Sequence, residues 1–277
     1  MSIADQRKLL ARMADADVDG LSERVEKLQL DVIEIYSTDG KFVKVKLLDM
    51  LKRLLLSEGE DRHDVVLFGE GNFTFSVALA SCRQSWDGIT STCYEPISRD
   101  HPEPHFSDVK VEASQYCIEN GERLGETDHT VLSRVKLVLN LPRPPVGTWE
   151  FGVDATNIPE ALNVKGKIVW FQCPWSKEDV HVHVLVATFL NHMAEKQGAK
   201  DYALIGLANM PRYVKEYRIQ DLLSENLAED CTHQYKFLGA DKKMIEEILK
   251  YGYHHKGYRD IHDYILTCHI TLVFRRK

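Results

Sequence analysis

A change of pattern within one short stretch constrains this chain most. Val65-Val66-Leu67-Phe68 is an unbroken apolar run, followed at once by Gly69-Glu70-Gly71-Asn72-Phe73 and then by a segment with small side chains at Ala78 and Ala80. An apolar run without alternation suits a parallel strand covered on both faces. A glycine directly after it allows a positive φ and a close approach where a Cβ would stand. Small side chains then let the next helix pack tightly on the sheet. Strand, glycine turn and helix in that order predict the opening unit of an open α/β sheet.

The pattern continues past that unit. Further strands are expected at 89–94, 149–153, 167–171 and 202–207. Helices are expected at 73–81, 112–124 and 180–196, with Gly198 as a stop, and within 214–227 and 241–251. Residues 135–139 read as a strand or strand edge, and Pro142-Arg143-Pro144-Pro145 as a loop. The last long strand, 264–274, alternates enough to predict an antiparallel edge strand. The fold class that follows is α/β: a Rossmann-like, doubly wound, mostly parallel sheet with an antiparallel edge strand.

Residues 1–60 read differently. Leu9, Leu10 and Met13, then Leu21, Val25 and Leu28, fall at helical spacing. Segments 30–36 and 42–45 flank Ser37-Thr38-Asp39-Gly40 as a hairpin would, and 47–56 is an apolar helix before the polar Glu58-Gly59-Glu60-Asp61. A small N-terminal α+β appendage over 1–60, ahead of a main domain over 61–277, is expected.

Composition excludes several classes. Hydrophobic residues are 44% and charged residues 28%, and no apolar run approaches the roughly 18 residues that span a bilayer. The first residues lack a secretory pattern, so an intracellular location is expected. The six cysteines are scattered without a Cys-x-x-Cys pair, which predicts reduced, mostly buried thiols and no metal. The paired histidines, His181/His183 and His254/His255, are not at the i,i+4 spacing of helical metal sites and read as surface or loop residues. A net charge of −7 argues against coating nucleic acid by bulk electrostatics. The basic end, Arg275-Arg276-Lys277, reads as a solvated terminus.

Ligands of open α/β sheets lie outside the carboxyl ends of the strands. The glycine turn lacks the third glycine that a pyrophosphate cradle uses. A ligand bearing an amino-acid carboxylate needs less of that cradle, which favours S-adenosylmethionine over a dinucleotide; a tight turn with no ligand is the alternative. Glu95, ending the second strand, can accept hydrogen bonds from both ribose hydroxyls, or be a loop residue before Pro96. Asp154, ending the third, can read the adenine edge or cap the next short helix. Gln172-Cys173-Pro174-Trp175 follows the fourth. The Gln172 amide and a backbone carbonyl can orient an acceptor nitrogen, and Trp175 offers a stacking face or a packing contact. Cys173 is better read as an inert buried thiol than as a nucleophile.

These segments resemble one family. Residues 66–76, Val-Leu-Phe-Gly-Glu-Gly-Asn-Phe-Thr-Phe-Ser, closely resemble the Gly-Glu-Gly-(Asn/Asp)-Phe-Ser-Phe-Ser loop of the rRNA (uridine-N3)-methyltransferase-like family. Cys93-Tyr94-Glu95-Pro96 is similar to its Ser-Tyr-Asp-Ser, and Gly152-Val153-Asp154-Ala155-Thr156 to its Gly-Val-Asp-Ala-Thr. Residues 168–175 are similar to its Ile-Ile-Phe-Asn-Phe-Pro-His, and residues 251–256 to a late Gly-Tyr-x-His-(Lys/Arg) segment. The resemblance spans about 64–274. It implies a Rossmann-like methyltransferase that uses S-adenosylmethionine, with an RNA uridine as acceptor and rRNA as partner. The implied cofactor residues are Gly69, Glu70, Gly71, Asn72, Phe73, Ser76, Glu95, Asp154 and Ala155. Asp154, Gln172, Pro174 and Trp175 are implied at the chemistry. This chain departs from the family where Asn-Phe-Pro-His becomes Gln172-Cys173-Pro174-Trp175, where Glu95 replaces Asp, and in lacking a basic extension.

Three readings follow: a base-nitrogen methyltransferase, a divergent methyltransferase for a small molecule or protein side chain, and a Rossmann-like scaffold without catalysis.

Overall fold

The computed structural model describes residues 32–37, 39–57, 59, 62–71, 73–94, 129–140, 149–175, 181–223, 234–253, 255 and 268–277. The helices expected at 6–14, 21–28 and 112–124, the proline loop at 142–145, and the site residues Asn72 and Glu95 lie outside the described residues.

Nine strands form one sheet: β1 (Val32–Tyr36), β2 (Phe42–Leu48), β3 (Val65–Phe68), β4 (Ile89–Cys93), β5 (Trp149–Phe151), β6 (Ile168–Gln172), β7 (Tyr202–Ala208), β8 (Tyr235–Asp241) and β9 (His269–Arg276). Their order is β1-β2-β8-β9-β7-β6-β3-β4-β5. β3 to β7 run parallel, with Val65 opposite both Ile89 and Ile168. All four side chains of β3 are fully enclosed, each contributing roughly 1.5–3 kcal/mol by leaving water. The described helices are α1 (Leu51–Leu56), α2 (Thr74–Arg83), α3 (His129–Asn140), α4 (Val182–Lys196), α5 (Pro211–Tyr217), α6 (Ile219–Leu223) and α7 (Lys243–Lys250).

Because both faces of the central strands are apolar, helices cover both. One core joins Val66, Phe68, Val169, Phe171 and Ile205 to α4, α5 and α6. The other joins Val65, Leu67, Trp170 and Leu204 to α1, α2, α3 and α7. The sheet is thus the Rossmann-like, doubly wound α/β arrangement that the alternation predicts.

Two expectations are corrected. The antiparallel strand near the C-terminus is β9, but it lies inside the sheet, between β7 and β8, with both neighbours antiparallel. Residues 269–274 are all buried, and Ile-Thr-Leu-Val-Phe suits an interior strand better than an alternating edge. The antiparallel edge strand is instead β1, paired with β2. Residues 135–139 belong to α3, not to a strand. Val135, Val138 and Leu139 are buried while Lys136 and Leu137 are exposed, a three-and-four spacing that only a helix turns to one side.

The expected hairpin at 30–45 forms as β1 and β2, closed by Ser37 N–H donating to Lys41 O at 2.6 Å. β2 then joins the main sheet, with Leu47 opposite Ala240 and Leu48 opposite Asp241. Behind α1, the buried Arg83 guanidinium donates to Leu55 O (2.7 Å), His63 O (2.9 Å) and Asp87 O (3.3 Å). It holds the connection from α1 to β3 against the end of α2. Replacing Arg83 by Met strands those carbonyls; we expect a loss of about 2–4 kcal/mol in urea unfolding. A change within about 0.5 kcal/mol would show that water replaces the guanidinium without penalty.

Candidate active site

The chain runs from β3 outward through β4 to β5, then crosses back to β6 and on to β7. The order therefore reverses between β3 and β6, and the loops leaving their carboxyl ends, 69–73 and 172–175, flank the switch point where open sheets bind ligands. Gly69 has φ +78°, and a Cβ there would lie 2.9 Å from Phe171 Cε2. The glycine thus lets the β3 turn close onto the ring at the end of β6. Gly71, at the tip of the turn, is exposed. Phe73 takes the left-handed region at φ 57° just before α2. Its ring packs 4.3 Å from Trp149 and 5.4 Å from Phe151, contacts that offset the backbone strain.

Glu70 points inward. Its N–H donates to Thr92 O at 3.1 Å, and its carboxyl accepts from both the backbone and the hydroxyl of Ser76. Ser91 Oγ in turn donates to Ser76 Oγ at 2.7 Å, so β4, α2 and the turn share one polar chain. Burial outweighs the two Ser76 hydrogen bonds and pushes the Glu70 carboxyl up to about 8. Its Oε1 is enclosed and has no hydrogen-bond partner among the described residues.

Across the switch point, Gln172 is opposite Gly206 of β7. Its side chain lies over that glycine: a Cβ on Gly206 would overlap Gln172 Oε1 and come within 3.0 Å of His269 Nε2. The amide nitrogen thereby spans a whole strand and reaches His269 Nε2 on β9 at 2.8 Å, Tyr253 Oη at 3.2 Å and Cys173 Sγ at 3.6 Å. Tyr253 Oη lies 2.9 Å from His255 Nδ1, and the Tyr253 ring meets Phe75 of α2 edge-on at 5.0 Å. Burial lowers the His269 imidazole to about 3, which keeps it neutral, and pushes the Cys173 thiol up to about 12. Burial likewise holds the Tyr217 and Tyr253 phenols well above their ordinary range.

The residues singled out in the sequence are distributed as follows. Gly69, Glu70, Gly71 and Phe73 form one turn at the end of β3, and Ser76, in the first turn of α2, bonds to Glu70. Asp154 follows β5 and is built into a tight turn: its Oδ1 accepts from Thr156 N–H and Thr156 Oγ1, both at 2.7 Å. Ala155 beside it is buried. Gln172 is enclosed in the network above. Pro174 is buried, and its carbonyl accepts from Tyr217 Oη at 2.7 Å. Trp175 is 55% exposed, with Tyr213 edge-on at 6.1 Å. Among the described residues no cluster of three His, Cys, Asp or Glu side chains could hold a metal ion.

Sequence reasoning missed Gly206 and His269, and it named Tyr253 and His255, within the segment at 251–256, without a site role. An isolated glycine inside the apolar 202–208 run is a signal of close approach, and a histidine heading an interior strand is a signal of buried polar work. His255 reads as a surface or loop residue from its spacing, although its hydrogen-bond partner Tyr253 is only two residues away.

No family model matches the chain, and no curated protein matches it. Solved structures do resemble it. A variant of the 16S rRNA (adenine(1408)-N(1))-methyltransferase from Catenulisporales acidiphilia is 12% identical, covers 88% of this chain and 97% of its own, and has a TM-score of 0.41. The O-methyltransferase of a trans-AT PKS multienzyme of Brevibacillus brevis, in complex with S-adenosyl-L-homocysteine, is 13% identical, covers 82% and 71%, and has a TM-score of 0.34. At these values the likeness carries no argument, and the fold rests on the strand order itself.

Two outcomes test the geometry. Gly206→Ala is expected to destabilise by about 1–3 kcal/mol through overpacking, and Gln172→Ser in the same chain should recover most of that loss; additive effects would place the Gln172 side chain elsewhere. Glu70 keeps its proton to about 8 when folded but only to 4.5 in the unfolded chain. Between those values the folded state binds the extra proton at Glu70; His269, neutral when folded, acts oppositely below 6.5, so wild-type stability falls as pH rises from 6.5 to about 8, by an amount on the order of a few kcal/mol. Glu70→Gln should flatten that slope in urea titrations across the window; an unchanged slope would mean that Glu70 is solvated.

Proposed function

We propose that this chain is an S-adenosylmethionine-dependent methyltransferase acting on a base nitrogen of RNA, uridine N3. The observation that carries the reading is the coincidence of the Gly69-Glu70-Gly71 turn with the reversal of strand order. The residues present fit the cofactor. Gly71 offers exposed backbone with no side chain at the tip of the turn. The ten-residue α2 begins there without a side-chain cap, which suits a carboxylate. Glu70 Oε1 is a buried polar atom without a partner among the described residues.

In this reading Gly69, Glu70, Gly71, Asn72, Phe73 and Ser76 hold the amino-acid end, Glu95 the ribose hydroxyls, and Asp154 and Ala155 the adenine. When bound, the cofactor supplies a methyl group on a positively charged sulfur. The chain's own residues orient and exclude water. Phe73, wedged on Trp149 and Phe151, fixes the turn. Glu70, neutral in its burial, adds no charge to the cradle. Gln172 and the buried Pro174 shape the acceptor side, and the exposed Trp175 gives a base a stacking face. Holding both reactants in line supplies on the order of 7–11 kcal/mol in favourable cases.

A second reading, a small-molecule or protein acceptor, is favoured by the net charge of −7. The acceptor separates the two. Calorimetric titration with S-adenosylhomocysteine is expected to show saturable binding that Gly71→Arg abolishes. With labelled methyl donor and total RNA, nucleoside digests should contain methyluridine. No binding would overturn the methyltransferase reading; binding with label only outside RNA would favour the second acceptor class.

A further inference from the structure

Gln172, Tyr253, His255 and His269 come from three separated segments, and their hydrogen bonds can run in one continuous direction. His269 is neutral, so its Nε2 can accept one proton of the Gln172 amide. The other amide proton points to Tyr253 Oη at 3.2 Å, with Cys173 Sγ at 3.6 Å as a further, weaker acceptor. Tyr253, accepting there, has its single proton left for His255 Nδ1. His255 is half-buried, whereas Gln172, Tyr253 and His269 are enclosed. A directed string of donors thus leads from the carboxyl end of β6, beside the switch point, to a side chain that water reaches.

The groups acting on Tyr253 suit transfer. They are Cys173 after β6, Glu70 after β3, Tyr217 of α5 and the Gln172 amide. Cys173 and Tyr217 are held neutral by burial, and Glu70 keeps its proton to about 8. At neutral pH no fixed anion among them would trap a proton in transit. The Tyr253 phenol, itself held well above its ordinary range, serves as a carrier and not as a standing base.

Resting on the methyltransferase reading above, we propose that Tyr253 and His255 form the proton outlet of the site, carrying away the proton that the acceptor nitrogen loses. The acceptor N–H bond breaks and its electron pair becomes the new N–CH3 bond, while the pair of the broken C–S bond stays on the sulfur. The released proton passes to Tyr253 Oη as Tyr253 gives its own proton to His255 Nδ1. His255 becomes an imidazolium and returns a proton to water through its half-buried ring. Gln172 and His269 are positioning residues, since they fix the side of Tyr253 that accepts and hence the direction of its proton.

The test has a ligand-free arm and a turnover arm. In the full chain without ligand, 15N-histidine NMR should report His255 Nδ1 as unprotonated and hydrogen-bonded, and Tyr253→Phe should move that resonance. A His255 signal indifferent to the substitution overturns the outlet. For turnover, one synthetic RNA is made with uridine and again with 5-fluorouridine, whose N3 gives up its proton more readily. Tyr253→Phe and His255→Gln are expected to lower kcat on the uridine RNA by roughly 10²-fold. Most of that loss should return on the 5-fluorouridine RNA, with S-adenosylhomocysteine affinity within about twofold of wild type. Equal losses on both RNAs with normal cofactor affinity would make the pair structural and overturn the outlet while leaving the methyltransferase reading intact. A wild-type chain that binds cofactor yet methylates neither RNA overturns the outlet and the uridine acceptor together. One that binds no cofactor removes the whole reading.

Discussion

The contact between the Gly69 turn and the Phe171 ring sets the geometry on which the rest of the carboxyl edge depends. With no Cβ in the way, the loop after β3 closes onto the end of β6, and the two loops at the reversal of strand order become neighbours. The consequences propagate in both directions. Phe73, forced into a left-handed turn, is driven onto Trp149 and Phe151 of β5. Glu70 is carried inward, onto Ser76 and, through it, Ser91 of β4. One tight turn therefore couples β3 to both of its neighbours and to the first turn of α2.

A second close approach completes the site. Gln172 reaches His269 only because Gly206 leaves a channel across β7. A shorter Asn at this position, as in the family that the sequence resembles, would not bridge the same distance. The departure from that family is thus matched by a glycine on one neighbouring strand and a histidine on the next. Burying this much polar surface is costly unless each group finds a partner. Among the described residues, Gln172 Oε1 and His269 Nδ1 have none.

How much of this was legible in the sequence depends on distance along the chain. β3, its glycine turn and α2 were readable because their signals are local: an apolar run, a glycine, small residues. The alternation of strands and helices was readable for the same reason. The position of β9 was not, because an interior antiparallel strand and an edge strand differ in what lies beside them, not in their own letters. Residues 135–139 were misread because a short apolar segment fits either period until burial of Val135, Val138 and Leu139 decides it. In the site, the residues of the β3 turn could be named in advance. The segment holding Tyr253 and His255 could be matched but given no role, and His269 could not be named at all, since their meaning comes from Gln172, far away in sequence, and from the empty side of Gly206.

The N-terminal segment acquires a physical role from the same network. α1 places Leu51, Leu54 and Leu55 in one core with Met244, Ile245 and Ile248 of α7. Lys52 meets Glu247 at 2.8 Å, and Asp241 Oδ1 accepts Met244 N–H at 2.9 Å, fixing both the face and the start of α7. At its other end, α7 turns through Gly252 at φ +86°, where a left-handed residue ends the helix. Arg134 of α3 grips Tyr251 Oη at 2.6 Å on the near side of that turn. Tyr253 follows directly and is delivered beneath Phe75 into contact with Gln172. The hairpin and α1 pair and pack against β8 and α7. They act by clamping α7, and α7 determines where Tyr253 and His255 stand. Loosening that clamp would move Tyr253 and His255 relative to Gln172. The N-terminal segment is therefore coupled through α7 to Tyr253 and His255, and through Arg83 on Leu55 O to the helix that follows the β3 turn.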